Sequence, residues 1–200
     1  MFEYIENILP IELAEKICKG HFSIKDSDKS SYEHWPKSAT KANTLPEVFI
    51  ELLPKSVVLE ITSHLYSHPE SPFYGDKLIR NTDGAVQKYP TNSTLPMHRD
   101  RALYSVTVFL NKDWKAEEGG QFRWIEDSYV NSDDEESNRI VHMITPKFNC
   151  GVVYKGNMEA TSELHGMPTN TSHHNRVSLQ LFVWKPSINV ESSVDFGQNQ

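Results

Sequence analysis

The feature that most constrains this chain is a change of period. Through residue 72 the apolar residues recur at helical spacing, and from residue 73 onward they tend to alternate. A chain that reads helices first and many short strands afterwards is α+β, with its core in a closed or sandwiched β structure. Ala102 to Leu110 (ALYSVTVFL) is the strongest strand, and residues 121–125, 140–144, 151–154 and 176–184 supply others. Residues 77–81 and 85–89 read as a hairpin about Thr82-Asp83-Gly84. In the helical part, Ile11, Leu13, Ala14, Ile17 and Cys18 form one face behind Pro10, with Gly20 as the stop. Thr44-Leu45-Pro46-Glu47 opens a second helix carrying Val48, Phe49, Leu52 and Leu53, interrupted by Pro54. Val57, Val58, Ile61 and Leu65 mark a third. Residues 1–9 alternate weakly, as a short edge strand would.

Two hundred residues suit one domain: 1–72 as mainly helical support with a long loop, 73–186 as the β core, and 187–200 as a tail. The polar stretch 21–44 and the acidic insert 126–139 are long enough to border a binding site. A formal charge of −7 makes nucleic acid an improbable partner, since phosphate binding needs a clustered basic face. Cys18 and Cys150 build no disulfide framework, which suits a reducing compartment. The N-terminus lacks the pattern of a signal peptide and no apolar run is long enough for a bilayer, so a cytoplasmic location and no membrane partner are expected.

The chemistry begins at His98-Arg99-Asp100. Residues two apart on an extended segment face the same way, so an imidazole and a carboxylate converge on one point. Nine His and ten Asp give about 0.45 such pairs by chance, so the pair alone is weak. A second His would complete two nitrogens and one oxygen on one face of a metal, an arrangement that suits non-haem Fe(II). Four His follow. His142 falls mid-strand, and His173 and His174 lie in a polar loop. His165, beside Gly166 and Pro168 at a turn, is the best candidate. Eleven residues later, Arg176 shares one face of the last strand with Ser178, Gln180 and Phe182. An inward Arg needs an anion, because an unpaired buried charge is costly; either a ligand carboxylate or a nearby Asp or Glu at the strand mouth would serve.

Together these residues resemble the Fe(II)/2-oxoglutarate-dependent dioxygenases, in their prolyl 4-hydroxylase-like branch. The likeness runs from about Ala85 to Trp184. It includes Tyr89-Pro90, Phe109-Leu110-Asn111-Lys112-Asp113-Trp114, Glu118-Gly119-Gly120 and Pro146-Lys147-Phe148; the Leu-Asn-Lys-Asp-Trp run followed by Gly-Gly is similar to the hypoxia-type prolyl hydroxylases. The resemblance implies a double-stranded β-helix (jelly roll) braced by N-terminal helices. It implies Fe(II) bound by His98, Asp100 and His165, with 2-oxoglutarate held by Arg176 and Tyr89 and assisted by Ser178. O2 would be the second cosubstrate, with ascorbate in support. The implied reaction hydroxylates an unactivated C–H bond and releases succinate and CO2. A prolyl residue of a peptide or protein is the substrate the resemblance favours, and a small molecule or free amino acid the alternative; a binding jelly roll without chemistry is a third reading. Two departures stand out. Phe109 falls where the hypoxia-type enzymes carry a cosubstrate-binding Tyr, a role that Tyr104 or Thr107 could take over. The His165–Arg176 interval is also longer, by an expected bulge at His173-His174.

Overall fold

The computed structural model describes residues 2–20, 49–98, 100, 102–127, 139–155 and 164–184. Among them, ten strands and two α-helices follow in the order β1 (Phe2–Ile5), α1 (Ile11–Lys19), β2 (Phe49–Leu52), α2 (Lys55–Ser67), β3 (Thr82–Tyr89), β4 (Leu95–His98), β5 (Tyr104–Phe109), β6 (Phe122–Asp127), β7 (Arg139–Ile144), β8 (Gly151–Lys155), β9 (Leu164–Met167) and β10 (Arg176–Val183). The strands form a six-stranded sheet, β1-β8-β5-β10-β3-β2, and a four-stranded sheet, β4-β9-β6-β7. Every pairing within them is antiparallel. This is an α+β fold with two sheets facing each other, sandwiched and not closed into a barrel.

Alternation along the six-stranded sheet sorts its residues onto two faces. Val106 and Val108 of β5, Val153 of β8, and Leu179, Leu181 and Val183 of β10 pack with Leu13, Ile17, Val58, Ile61 and Leu65 of the helices. Each such side chain contributes roughly 1.5–3 kcal/mol on burial, so the helices are held chiefly by this layer. The opposite face carries Phe109, Val152 and Tyr154, which meet Phe122 and Trp124 from the four-stranded sheet. The space between the sheets is apolar at this end only; Gln87, Thr107, Arg176, Ser178 and Gln180 also point into it, and such buried polar groups need partners there.

Three expectations change. The helix expected from Thr44 through Leu53 does not form in its described part. Phe49–Leu52 is strand β2, paired with β3 from Lys88 to Ala85. Its apolar residues fit either period over so short a run, and pairing that covers the edge of β3 decides between them. The hairpin about Gly84 is likewise absent: Lys77–Arg80 is a 3-10 turn and Thr82–Tyr89 is one continuous strand. Gly84 is needed for closeness and not for a turn, since a Cβ there would sit 2.9 Å from Leu181 Cδ2 and 3.2 Å from Val58 Cγ2. Third, His165 lies on strand β9 and not at a turn. The 21–44 loop, the bulk of the 126–139 insert and the 187–200 tail lie outside the described residues. No helix among the described residues is long and apolar enough to cross a membrane.

Asn149 fastens the N-terminal segment to the β core. It adopts φ 59°, a conformation Asn tolerates better than most residues. Its Oδ1 accepts from Leu9 N at 3.2 Å and its Nδ2 donates to Leu9 O at 2.7 Å, both buried. Its own backbone oxygen accepts from Ile8 N at 3.0 Å. Replacing Asn149 with Ala strands two buried backbone groups, so Asn149→Ala is expected to lower stability by about 1–3 kcal/mol, read from urea denaturation midpoints.

Candidate metal centre and anion pocket

The site lies between the sheets, and each sheet supplies a different part of it. The four-stranded sheet and the segment after β4 carry three groups that could hold a metal. Pairing of β4 with β9 matches Leu95 to Met167 and His98 to His165, so three steps on β4 oppose two on β9. That extra residue is a bulge, and it turns both Leu95 and His98 toward the interior. Gly166 makes the close approach possible, since a Cβ there would lie 2.7 Å from Leu95 O. The imidazoles of His98 and His165 thereby come to 4.2 Å between ring centroids. Asp100, two residues past His98, completes the group: Oδ1 is 3.4 Å from His98 Nε2 and Oδ2 is 3.5 Å from His165 Nε2. One donor atom from each lies within 4.8 Å of the others, so the three could hold a metal ion together.

The protonation states suit that task. Burial pushes the His165 imidazole down to about 4, with Asp100 pulling it back up and His98 adding to the fall. The ring is neutral at pH 7 and keeps a lone pair for a metal. Burial alone would raise Asp100, but His165 and His98 outweigh it and hold the carboxyl well below the usual carboxylate range.

The six-stranded sheet supplies the other half. Arg176, Ser178, Gln180 and Phe182 point inward from β10, as their alternation predicts, and Arg176 is 2% exposed. Its Nη1 donates to Ser178 Oγ at 3.0 Å, and its guanidinium lies 5.3 Å from the ring centroids of both Tyr89 and Phe109. Among the described residues its Nε has no hydrogen-bond partner and no carboxylate lies within ion-pair distance of it. The alternative of an Asp or Glu at the strand mouth is thus not what the described residues show. A buried cation flanked by rings, with an N–H left over, is a receptor for an anion. Phe109, which carries no hydroxyl, serves as one of its aromatic walls.

The surrounding motifs keep that cation in place. Asn111 Nδ2 donates to Asn175 O at 2.8 Å and its Oδ1 accepts from Val177 N at 2.6 Å, clamping the start of β10. Trp114 Nε1 donates to Gly119 O at 3.0 Å. A Cβ on Gly120, where φ is +63°, would lie 3.3 Å from both Arg176 Cγ and Trp114 Cζ2. Glycine therefore lets the turn press against the Arg176 stem.

Of the other expected residues, Tyr89 lines the cavity, but its hydroxyl donates to Gln87 Oε1 and burial pushes it up to about 12. Thr107 lines the cavity too, donating to Gln180 Oε1 at 2.6 Å. Tyr104 does not join them. It lies on the opposite face of β5, against Phe73 at 5.8 Å, because only alternate residues of a strand share a face. His142 stacks on Phe2 at 5.5 Å, and His173 and His174 are exposed. Sequence reasoning missed Gln87, Tyr154 and the lining role of Gln180. The period of two would have found Gln87 two before Tyr89; Tyr154 gave no signal, ending a strand that reads as plain core.

Two antiparallel sheets thus enclose two His and one Asp that could hold a metal ion, beside a buried arginine. The chain belongs to the 2OG-Fe(II) oxygenase superfamily, whose family model matches residues 84–184. Members use Fe(II), 2-oxoglutarate and O2, and the His98-Asp100-His165 group fits the iron site. Solved structures share the fold. A Pseudomonas putida prolyl-4-hydroxylase is 16% identical with a TM-score of 0.57, over 93% of each chain. A prolyl hydroxylase from Trichoplax adhaerens, in complex with a hypoxia inducible factor oxygen degradation domain peptide fragment, is 15% identical with a TM-score of 0.57, over 92% of this chain and 83% of the other. A non-heme alpha ketoglutarate dependent epimerase from nogalamycin biosynthesis is 10% identical with a TM-score of 0.55, over 99% of this chain and 84% of the other. No curated protein matches the chain at the sequence level.

Neutral His165 sets a pH dependence of folding. The unfolded chain takes up this proton near pH 6.5 and the folded chain only near 4, so proton uptake favours unfolding between those values. Without metal, stability is expected to fall on acidification through that window, by at most about 1.4 kcal/mol per pH unit from this group. Urea midpoints of wild type and His165→Gln, compared between neutral pH and about pH 5, are expected to show the shallower slope in the variant.

Proposed function

We propose that this protein is a 2-oxoglutarate-dependent hydroxylase acting on a prolyl residue of a peptide or protein. The observation that carries the oxygenase part is the buried Arg176, without a carboxylate partner among the described residues, in the cavity that also holds His98, Asp100 and His165. In this reading His98, Asp100 and His165 hold Fe(II), leaving positions open on the ion for cosubstrate and O2. Arg176, with Ser178 fixing one of its nitrogens, grips the distal carboxylate of 2-oxoglutarate and sets the direction in which the cosubstrate reaches toward the metal. Thr107 and Tyr89 line the space between them. Leu95, Phe122 and Met167 form an apolar wall that limits water there. The chemistry supplied by the bound cofactor and cosubstrates is hydroxylation of an unactivated C–H bond, with succinate and CO2 as co-products.

The prolyl assignment is supported by the Leu110-Asn111-Lys112-Asp113-Trp114 and Gly119-Gly120 motifs and by the two prolyl hydroxylases of similar fold. The epimerase of similar fold favours a second reading, a small-molecule substrate. Succinate formation by the full chain with Fe(II), ascorbate and 2-oxoglutarate is expected, and its loss in His98→Ala. A panel of proline-containing peptides separates the readings: peptide-dependent stimulation supports the prolyl one, and stimulation only by small molecules replaces it.

Arg176→Met tests the anion receptor separately. Removing a buried charge that has no carboxylate partner among the described residues is expected to leave the thermal midpoint unchanged or higher. Binding of 2-oxoglutarate to the Mn(II)-loaded protein, read by calorimetry, is expected to weaken at least about 10-fold, the loss of a charge-assisted hydrogen bond.

A further inference from the structure

We propose that Tyr154 is a positioning residue that restricts Asp100 to a single-oxygen grip on the metal. The inference rests on the reading of His98, Asp100 and His165 as a metal site. It starts from a directed chain of hydrogen bonds. Thr107 Oγ1 donates to Gln180 Oε1 at 2.6 Å, which fills the amide oxygen and turns the amide nitrogen toward Tyr154. Gln180 Nε2 donates to the Tyr154 hydroxyl at 3.2 Å. Because that oxygen accepts, its proton is left to point into the site. Two acceptors stand there: Asp100 Oδ2 at 2.9 Å and His165 Nε2 at 3.2 Å. With a metal on His165 Nε2 that lone pair would be taken, and the phenol proton would turn to the carboxylate, the nearer of the two acceptors.

The phenol cannot swing aside. Its ring is fully buried and lies 5.2 Å from Trp124, 5.5 Å from Phe122 and 4.6 Å from His165 between centroids. Tyr154 stands on β8 of the six-stranded sheet, so its bond to Asp100 reaches across the cavity to the ligands carried by the other sheet. Asp100 Oδ2 is thereby engaged, and Oδ1, on the His98 side, is left to bind. A metal held by His98, His165 and one oxygen of Asp100 would keep its remaining positions for cosubstrate and O2. A carboxylate released from Tyr154 could bind through both oxygens and take one of these.

The test measures Mn(II) binding to the full chain through loss of the free-ion EPR signal, in wild type, His98→Ala, Tyr154→Phe and Thr107→Val. The visible bands of the Co(II)-loaded proteins are the second readout, because they follow the ligand arrangement and not packing. Tyr154→Phe keeps the ring and its contacts. It is expected to shift Mn(II) affinity by about 10–100-fold, with altered Co(II) bands. Thr107→Val frees the Gln180 amide to turn and is expected to move both readouts the same way by less. If Tyr154→Phe does not fold, Thr107→Val decides, and unchanged affinity there overturns the proposal. Affinity in Tyr154→Phe within about twofold of wild type, or shifted affinity with unchanged Co(II) bands, overturns it as well. Wild type binding no better than His98→Ala removes the metal reading, and this inference with it.

Discussion

A guanidinium buried with no carboxylate partner among the described residues is the constraint on which much of this structure depends. Taking Arg176 out of water costs several kcal/mol before any ligand arrives, and one bond to Ser178 with two aromatic faces offsets only part of that. The fold must therefore hold the charge in place by force of packing. Asn111 clamps the start of β10, and Gly120 packs close against both Trp114 and the Arg176 stem. A site stocked with an unmet charge is primed for an anion, at the expense of stability in its absence.

The division of labour between the sheets explains how such a charge coexists with a metal centre. The cation belongs to the six-stranded sheet, which the helices brace from behind, while the three donor side chains belong to the four-stranded sheet and the segment after β4. Neither sheet holds the complete constellation. Its geometry is fixed by how the sheets pack, through Phe122, Trp124 and Tyr154, and locally by the bulge of β4 against Gly166.

What was legible in the sequence follows from this arrangement. The donors and Arg176 were readable because rare residue types at fixed spacings stand out, and the inward face of β10 because alternation over eight residues is unambiguous. Strands β4 and β9 were not read as strands, being four residues each with Pro96 and Gly166 inside them. The fate of Phe49–Leu52 was decided by its partner β3, far along the chain, and no local pattern carries that information. Tyr104 shows the limit of arguing from residue type alone: the hydroxyl was the right chemistry on the wrong side of the strand. The motif most like the hypoxia-type prolyl hydroxylases lies behind Arg176, so its physical role concerns the anion pocket.

Strand β2 carries a further consequence. The family match begins at residue 84, yet Ile50, from a strand well before that boundary, forms part of the cavity wall. A fragment trimmed to the family limits would lose that wall and α2, bare the edge of β3, and uncover the apolar outer face of the six-stranded sheet. The catalytic unit is thus larger than its recognisable signature, and expression boundaries drawn from the signature would yield a sticky, incomplete half of a working cavity.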